Sequence, residues 1–142
     1  MADPIVLPAG YSGAPLAKKP GIAPAAKVCV VSAPLDYREL VRPWPEGATL
    51  QQRPGASTDV ADLFVRERAA LERELVRLRR CLRDDAVLWV SWPKKASRVA
   101  TDVDENVVRA VALPIGWVDV KVCAVDAVWS ALKLVVRRGL RS

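Results

Sequence analysis

The chain has 142 residues, 51% of them hydrophobic, a formal net charge of +6 and no histidine. That length suits one domain with a core of its own, and no apolar run reaches the roughly 18–20 residues of a membrane-spanning helix. The missing imidazole excludes His-based triads, His-ligated zinc and a histidine general base.

Met1-Ala2-Asp3-Pro4 carries an acid where an export signal carries cations, and Pro8 and Gly10 interrupt the apolar stretch that follows. The expected location is therefore cytoplasmic. Residues 1–26 are rich in Pro, Ala and Gly and are expected to form an extended arm, with at most one helical turn around Pro15–Lys19 before Pro20-Gly21.

The α/β domain is expected over 27–138, with 139–142 as a tail. Lys27–Ser32 is a run of β-formers suited to a buried parallel strand. Asp36–Val41 predicts a short helix, Ala48–Arg53 a weaker strand and Asp62–Val65 a short apolar one. Arg66–Arg83 is the clearest helix: Leu71, Leu75, Leu78 and Leu82 make one apolar face. Arg66, Arg73, Arg77 and Arg80 fall opposite it, as a solvated face or an arginine stripe for nucleic acid. Ala86–Trp92 predicts the central strand. A second helix is expected to open with Asp102 as N-cap and Glu105 completing a capping box, and to end at Pro114 and Gly116. Trp117–Val125 and Ala131–Arg138 alternate apolar and polar residues, which predicts an antiparallel hairpin.

The resulting order, β-α-β-β-α-β-α-β-β, is that of a single-domain, Rossmann-like α/β fold. Its mainly parallel sheet closes with a C-terminal antiparallel hairpin, a methyltransferase-like variant. The loop after the first strand, Ser32-Ala33-Pro34-Leu35-Asp36, lacks the glycines that let backbone approach a pyrophosphate, and Pro34 removes a donor. NAD, FAD and ATP in their standard modes are disfavoured, S-adenosylmethionine is poorly supported, and no cofactor is expected. Cys29, Cys81 and Cys123 have no metal-ligand spacing and are expected to be buried free thiols; no metal site is predicted.

The chemistry-bearing stretch is Trp92-Pro93-Lys94-Lys95-Ala96-Ser97-Arg98, which delivers three cations just past a strand, where α/β proteins hold ligands. Asp102, Asp104 and Glu105 offset those cations within residues 94–105. Strand parity places Trp89 and Trp92 on opposite faces, Trp89 in the core and Trp92 as a candidate pocket wall. Trp117 and Trp129 are expected to pack or cover an edge. Lys94, Lys95, Arg98, Trp92 and Ser97, with Tyr11, Lys18 and Lys19 folding over from the arm, form the candidate ligand site.

Three blocks match a known family: Gly10–Gly13 with Pro15–Lys19, Trp92–Ser97 with Val99–Asp102, and Val118–Asp126 with Trp129-Ser130. Together they resemble the bacterial family catalogued as domain of unknown function 3052, over about residues 10–138. The resemblance implies a small cytoplasmic, Rossmann-like protein with no attached activity. The chain departs from the family pattern at Pro20, at Arg98 and at Ala127-Val128.

The expectation is a non-catalytic binding or regulatory module for an anionic small molecule or an acidic protein surface. The alternatives are a small transferase of methyltransferase-like ancestry, with Asp36, Asp102, Asp126, Cys29 or Tyr11 as candidate groups, and the arginine-stripe nucleic-acid binder.

Overall fold

A computed structural model describes residues 26–32, 47–124 and 128–140. The arm, with Tyr11, Lys18 and Lys19, the helix expected at Asp36–Val41, and Asp126 lie outside the described residues.

Six strands form one sheet: β1 (Lys27–Val31), β2 (Thr49–Gln51), β3 (Val60–Phe64), β4 (Val87–Pro93), β5 (Trp117–Ala124) and β6 (Trp129–Val136), in the order β2-β1-β3-β4-β6-β5. β2, β1, β3 and β4 run parallel, while β4–β6 and β6–β5 are antiparallel. This is the mainly parallel sheet with a terminal hairpin that the patterning predicts.

Helix α1 (Arg68–Cys81) and helix α2 (Glu105–Ile115) cover one face. Leu71, Leu75 and Leu78 of α1 and Val108, Val111 and Ala112 of α2 pack there on Leu63, Leu88, Val90, Leu132 and Leu134 of the sheet. Full burial of each leucine contributes on the order of 1.5–3 kcal/mol. The other sheet face carries a second buried cluster of Val28, Val60, Phe64, Trp89 and Ala131. Trp89 and Trp92 thus fall on opposite faces, as strand parity requires. No helix among the described residues is long and apolar enough to cross a membrane.

Several boundaries differ from expectation: α1 spans Arg68–Cys81 rather than Arg66–Arg83, β2 Thr49–Gln51 rather than Ala48–Arg53, and β6 Trp129–Val136 rather than Ala131–Arg138. β3 begins at Val60 rather than Asp62, because Asp62 lies mid-strand, 2% exposed, instead of starting it. α2 is capped by Asp104, whose carboxylate accepts from the Val107 amide at 2.8 Å. Asp102 instead accepts from the Arg68 amide at 2.7 Å, at the first turn of α1. The predicted capping box between Asp102 and Glu105 does not form, because Asp102 faces the neighbouring helix. Pro114 sits inside the last turn of α2, and Gly116 at φ 110° closes it. A Cβ there would meet Leu140 Cδ1 at 2.7 Å.

β2 has only three residues, so its return to β3 over 52–59 needs no helix. Thr58 organises that turn: its hydroxyl donates to Gln51 Oε1 at 2.5 Å and accepts from the Gly55 amide at 3.0 Å. At the same N-terminal edge Asp59 accepts from the Lys27 amide at 2.7 Å and from Arg83 at 2.5 Å. These bonds join β1, β3 and the segment after α1, so this end of the sheet is built for cohesion.

Candidate functional site

The candidate site lies at the opposite, C-terminal edge. The chain leaves β1 toward β2 on one side and returns to β3 on the other, so the boundary between β1 and β3 is the topological switch point of the parallel strands. Ligands in open α/β sheets bind in the crevice at such a point. A cleft of about 620 Å³ lies there, lined by Ser32, Phe64, Val65, Arg66, Glu67, Ala70, Arg73, Ala100 and Trp129. Clefts of roughly 300–1,000 Å³ suit small organic ligands.

Each wall follows from local structure. Ser32 follows β1 at φ 57°, a left-handed conformation that a non-glycine residue adopts at a cost. Arg66 and Glu67 occupy the short step between β3 and α1 and inherit the strand's aim at the edge. Ala70 and Arg73 belong to the first turns of α1, whose macrodipole is positive at this end. Phe64 and Trp129 meet edge to face, centroids 5.0 Å apart and planes at 86°. Ser91 and Ala131, both in register with Phe64 across β4 and β6, are small enough to leave room for that pair.

A clamp fixes the backbone of Arg66. Its carbonyl accepts from Thr101 Oγ1 at 2.6 Å and from the Asp102 amide at 3.2 Å, which brings Ala100 to the cleft. Among the described residues, Arg68, Arg77, Arg79, Arg83 and Arg109 each pair with a carboxylate. Arg66 and Arg73 form no such pair with a described residue. The arginine stripe expected on α1 is therefore divided: Arg66 precedes the helix, Arg73 lines the cleft, and Arg77 is held by Glu74 at 2.6 Å.

The residues singled out from sequence are dispersed. Trp92 is 5% exposed and packs in the core beneath α1 and α2, so it does not wall this cleft. Lys95–Ser97 forms a single 3-10 turn, with Arg98 left-handed at φ 61° after it. Ser97 holds the turn, donating from Oγ to the Lys94 carbonyl at 2.6 Å. Lys94, Lys95 and Arg98 are not among the cleft-lining residues, yet the turn starts beside them. The Lys94 amide donates to the Val128 carbonyl at 2.6 Å, and Pro93 stands opposite Trp129 in the β4–β6 register. Trp92–Ser97 and Trp129-Ser130 thus meet at this edge.

Phe64, Glu67 and Trp129 were not expected in a site. The signal that points to Glu67 is its position just past a parallel strand; Phe64 and Trp129 depend on the β4–β6 register, which periodicity does not set.

No family model matches the chain, and no curated protein matches it. Among solved structures it is similar to magnesium protoporphyrin IX methyltransferase (ChlM) from Synechocystis PCC 6803 with bound SAM. That match has a TM-score of 0.56 at 11% identity and covers 89% of this chain and 74% of that one. The same enzyme with bound SAH matches with a TM-score of 0.51 at 11% identity, covering 89% and 78%. The fold is therefore Rossmann-like, of the kind found in SAM-dependent methyltransferases.

Proposed function

We propose that this chain is a non-catalytic binding domain that holds an anionic small molecule in the switch-point cleft. The observation that carries the reading is Arg66 and Arg73, two guanidinium groups without a described carboxylate partner, lining a cleft at the ligand edge of a Rossmann-like sheet. Guanidinium forks suit carboxylate and phosphate oxygens, which they bind in bidentate fashion. Lys94, Lys95 and Arg98 form a cationic turn at the same edge and raise the local anion concentration without seating the ligand. Its place is the cytoplasm, where Cys29 and Cys81, both free, stay reduced.

Calorimetric titration with phosphate, succinate and citrate tests this. Arg66→Ala and Arg73→Ala are expected to weaken the best of these anions roughly tenfold each, the range of a hydrogen bond to a charged group. Lys94→Ala/Lys95→Ala is expected to weaken it no more than about threefold, as rim charges do. Equal affinities in wild type and both arginine variants, or no binding of any anion, overturn the reading.

A second reading, a transferase of methyltransferase-like ancestry, is favoured by the neighbours that hold SAM and SAH. One feature opposes it: the loop after β1, Ser32-Ala33-Pro34-Leu35-Asp36, carries no glycine. Micromolar binding of S-adenosylmethionine by calorimetry would establish the second reading over the first.

A further inference from the structure

We infer that the ligand of this cleft is an amino dicarboxylate, whose two carboxylates meet Arg66 and Arg73 while its ammonium group meets Glu67. The inference rests on the anion-binding reading and names the class of ligand. It starts from an acid that the fold itself leaves unused. Outside the strands, each described acid but Glu67 pairs with an arginine or accepts from a backbone amide. The Glu67 side chain does neither with a described residue, yet it is exposed and lines the cleft with the two guanidinium groups.

Local structure explains why that carboxylate is spare. Glu67 holds the N-cap position of α1, where a short acidic side chain accepts from the amides of the first turn, and it makes no such bond. The Arg68 amide is taken instead by Asp102, which reaches over from the approach to α2. The helix macrodipole favours negative charge at this end but supplies no partner for it. Glu67, Ala70 and Arg73 follow at intervals of three, so the acid and the arginine stand roughly 9 Å apart along the axis with Ala70 between them. No ion pair joins them, and the gap suits a small molecule carrying both signs of charge. Toward phosphate or citrate the Glu67 carboxylate is repulsive, so a site for a plain anion gains nothing from it. Two guanidinium groups and one carboxylate sum to a single positive charge. Two carboxylates and one ammonium on the ligand match them group for group.

Calorimetry on the full chain compares L-aspartate with succinate and L-glutamate with glutarate, pairs that differ only by the α-ammonium group. At least one amino diacid is expected to bind about fivefold tighter than its counterpart, between the range of an exposed ion pair and that of a charged hydrogen bond. Glu67→Gln is expected to weaken that amino diacid about fivefold and to leave succinate and glutarate unchanged or tighter. A role in folding alone would move both members of a pair together. Counterparts that bind as tightly as the amino diacids, or more tightly, in both pairs overturn the inference and leave anion binding intact. A Glu67→Gln protein in which both members of a pair shift by the same factor does so as well. Failure of every anion, phosphate included, overturns the anion reading itself.

Discussion

Ser32 is the residue at which the nucleotide-loop question becomes physical. A tight departure from β1 into a ligand edge is normally made with glycine, and here the left-handed conformation at φ 57° is held by a serine. The left-handed region costs an L-residue roughly 1–2 kcal/mol, whereas glycine pays about 0.5–1 kcal/mol in chain entropy. Ser32→Gly is therefore expected to stabilise the protein by up to about 1 kcal/mol, and Ser32→Val, β-branched, to destabilise it by more than that. Urea midpoints for the three proteins check the order; a destabilised Ser32→Gly would mean that the hydroxyl is required. Asp59 makes a second residue-scale prediction. The Lys27 amide, then Arg83, hold its carboxyl below its ordinary value, and Arg109 does the same for Asp119. A lowered folded-state value means the unfolded chain binds the proton first, so stability from these groups is complete above about pH 4–5 and is lost as pH falls through the carboxylate range. In Asp59→Asn, denaturation midpoints are expected to fall less between pH 5 and pH 3 than in wild type. An equal fall in both proteins would remove Asp59 from the acid response.

At the scale of elements, one cap crosses from the approach to α2 onto the first turn of α1. Asp102 precedes α2 in sequence but serves α1, and Asp104 caps α2. Asp102→Ala is expected to cost about 1 kcal/mol, the usual cost of a lost cap, with faster hydrogen exchange at the Arg68 amide and none at Val107. Asp104→Ala should give the reverse pattern, and exchange that rises at Val107 in both variants would place Asp102 back on α2. This is also where the sequence stops being legible. The strands and helices are readable because burial on one face forces a period, as in the Leu71, Leu75 and Leu78 stripe and in the alternation of β5 and β6. A cap that crosses between elements leaves no local period, and neither does the register that seats Trp129 opposite Pro93. Trp92 and Trp129 look equivalent in the chain, yet the first faces the helices and the second the cleft. The basic turn after β4 was legible as a cationic segment at the ligand edge, but which cations line the cleft depends on how α1 lies over the strand ends.

At the scale of the whole molecule, a net charge of +6 invites a nucleic-acid reading, and the distribution of charge over the described residues bears on it. Along α1, Arg68 pairs with Glu72 at 3.3 Å and Arg77 with Glu74 at 2.6 Å, so two of the helix's cations are offset by its own acids. Arg66 and Arg73, both exposed, line the cleft. Arg80 then stands on α1 without a described acidic partner, and these three are the most that this helix and its approach can offer to phosphates. Counterion release scales with the number of phosphates neutralised, with a log–log slope of roughly −0.9 per contact on duplex DNA. Binding of a random-sequence duplex through this face is expected to be weak, with a slope no steeper than about −3 between 50 and 200 mM salt. Fluorescence anisotropy over that range measures it, with Arg80→Ala expected to remove about one unit. A slope of −6 or steeper that Arg73→Ala and Arg80→Ala both reduce would restore the continuous cationic stripe. Shallow dependence in wild type instead removes the nucleic-acid reading and leaves the proposed one, in which two guanidinium groups act at short range on one small anion rather than along a polymer.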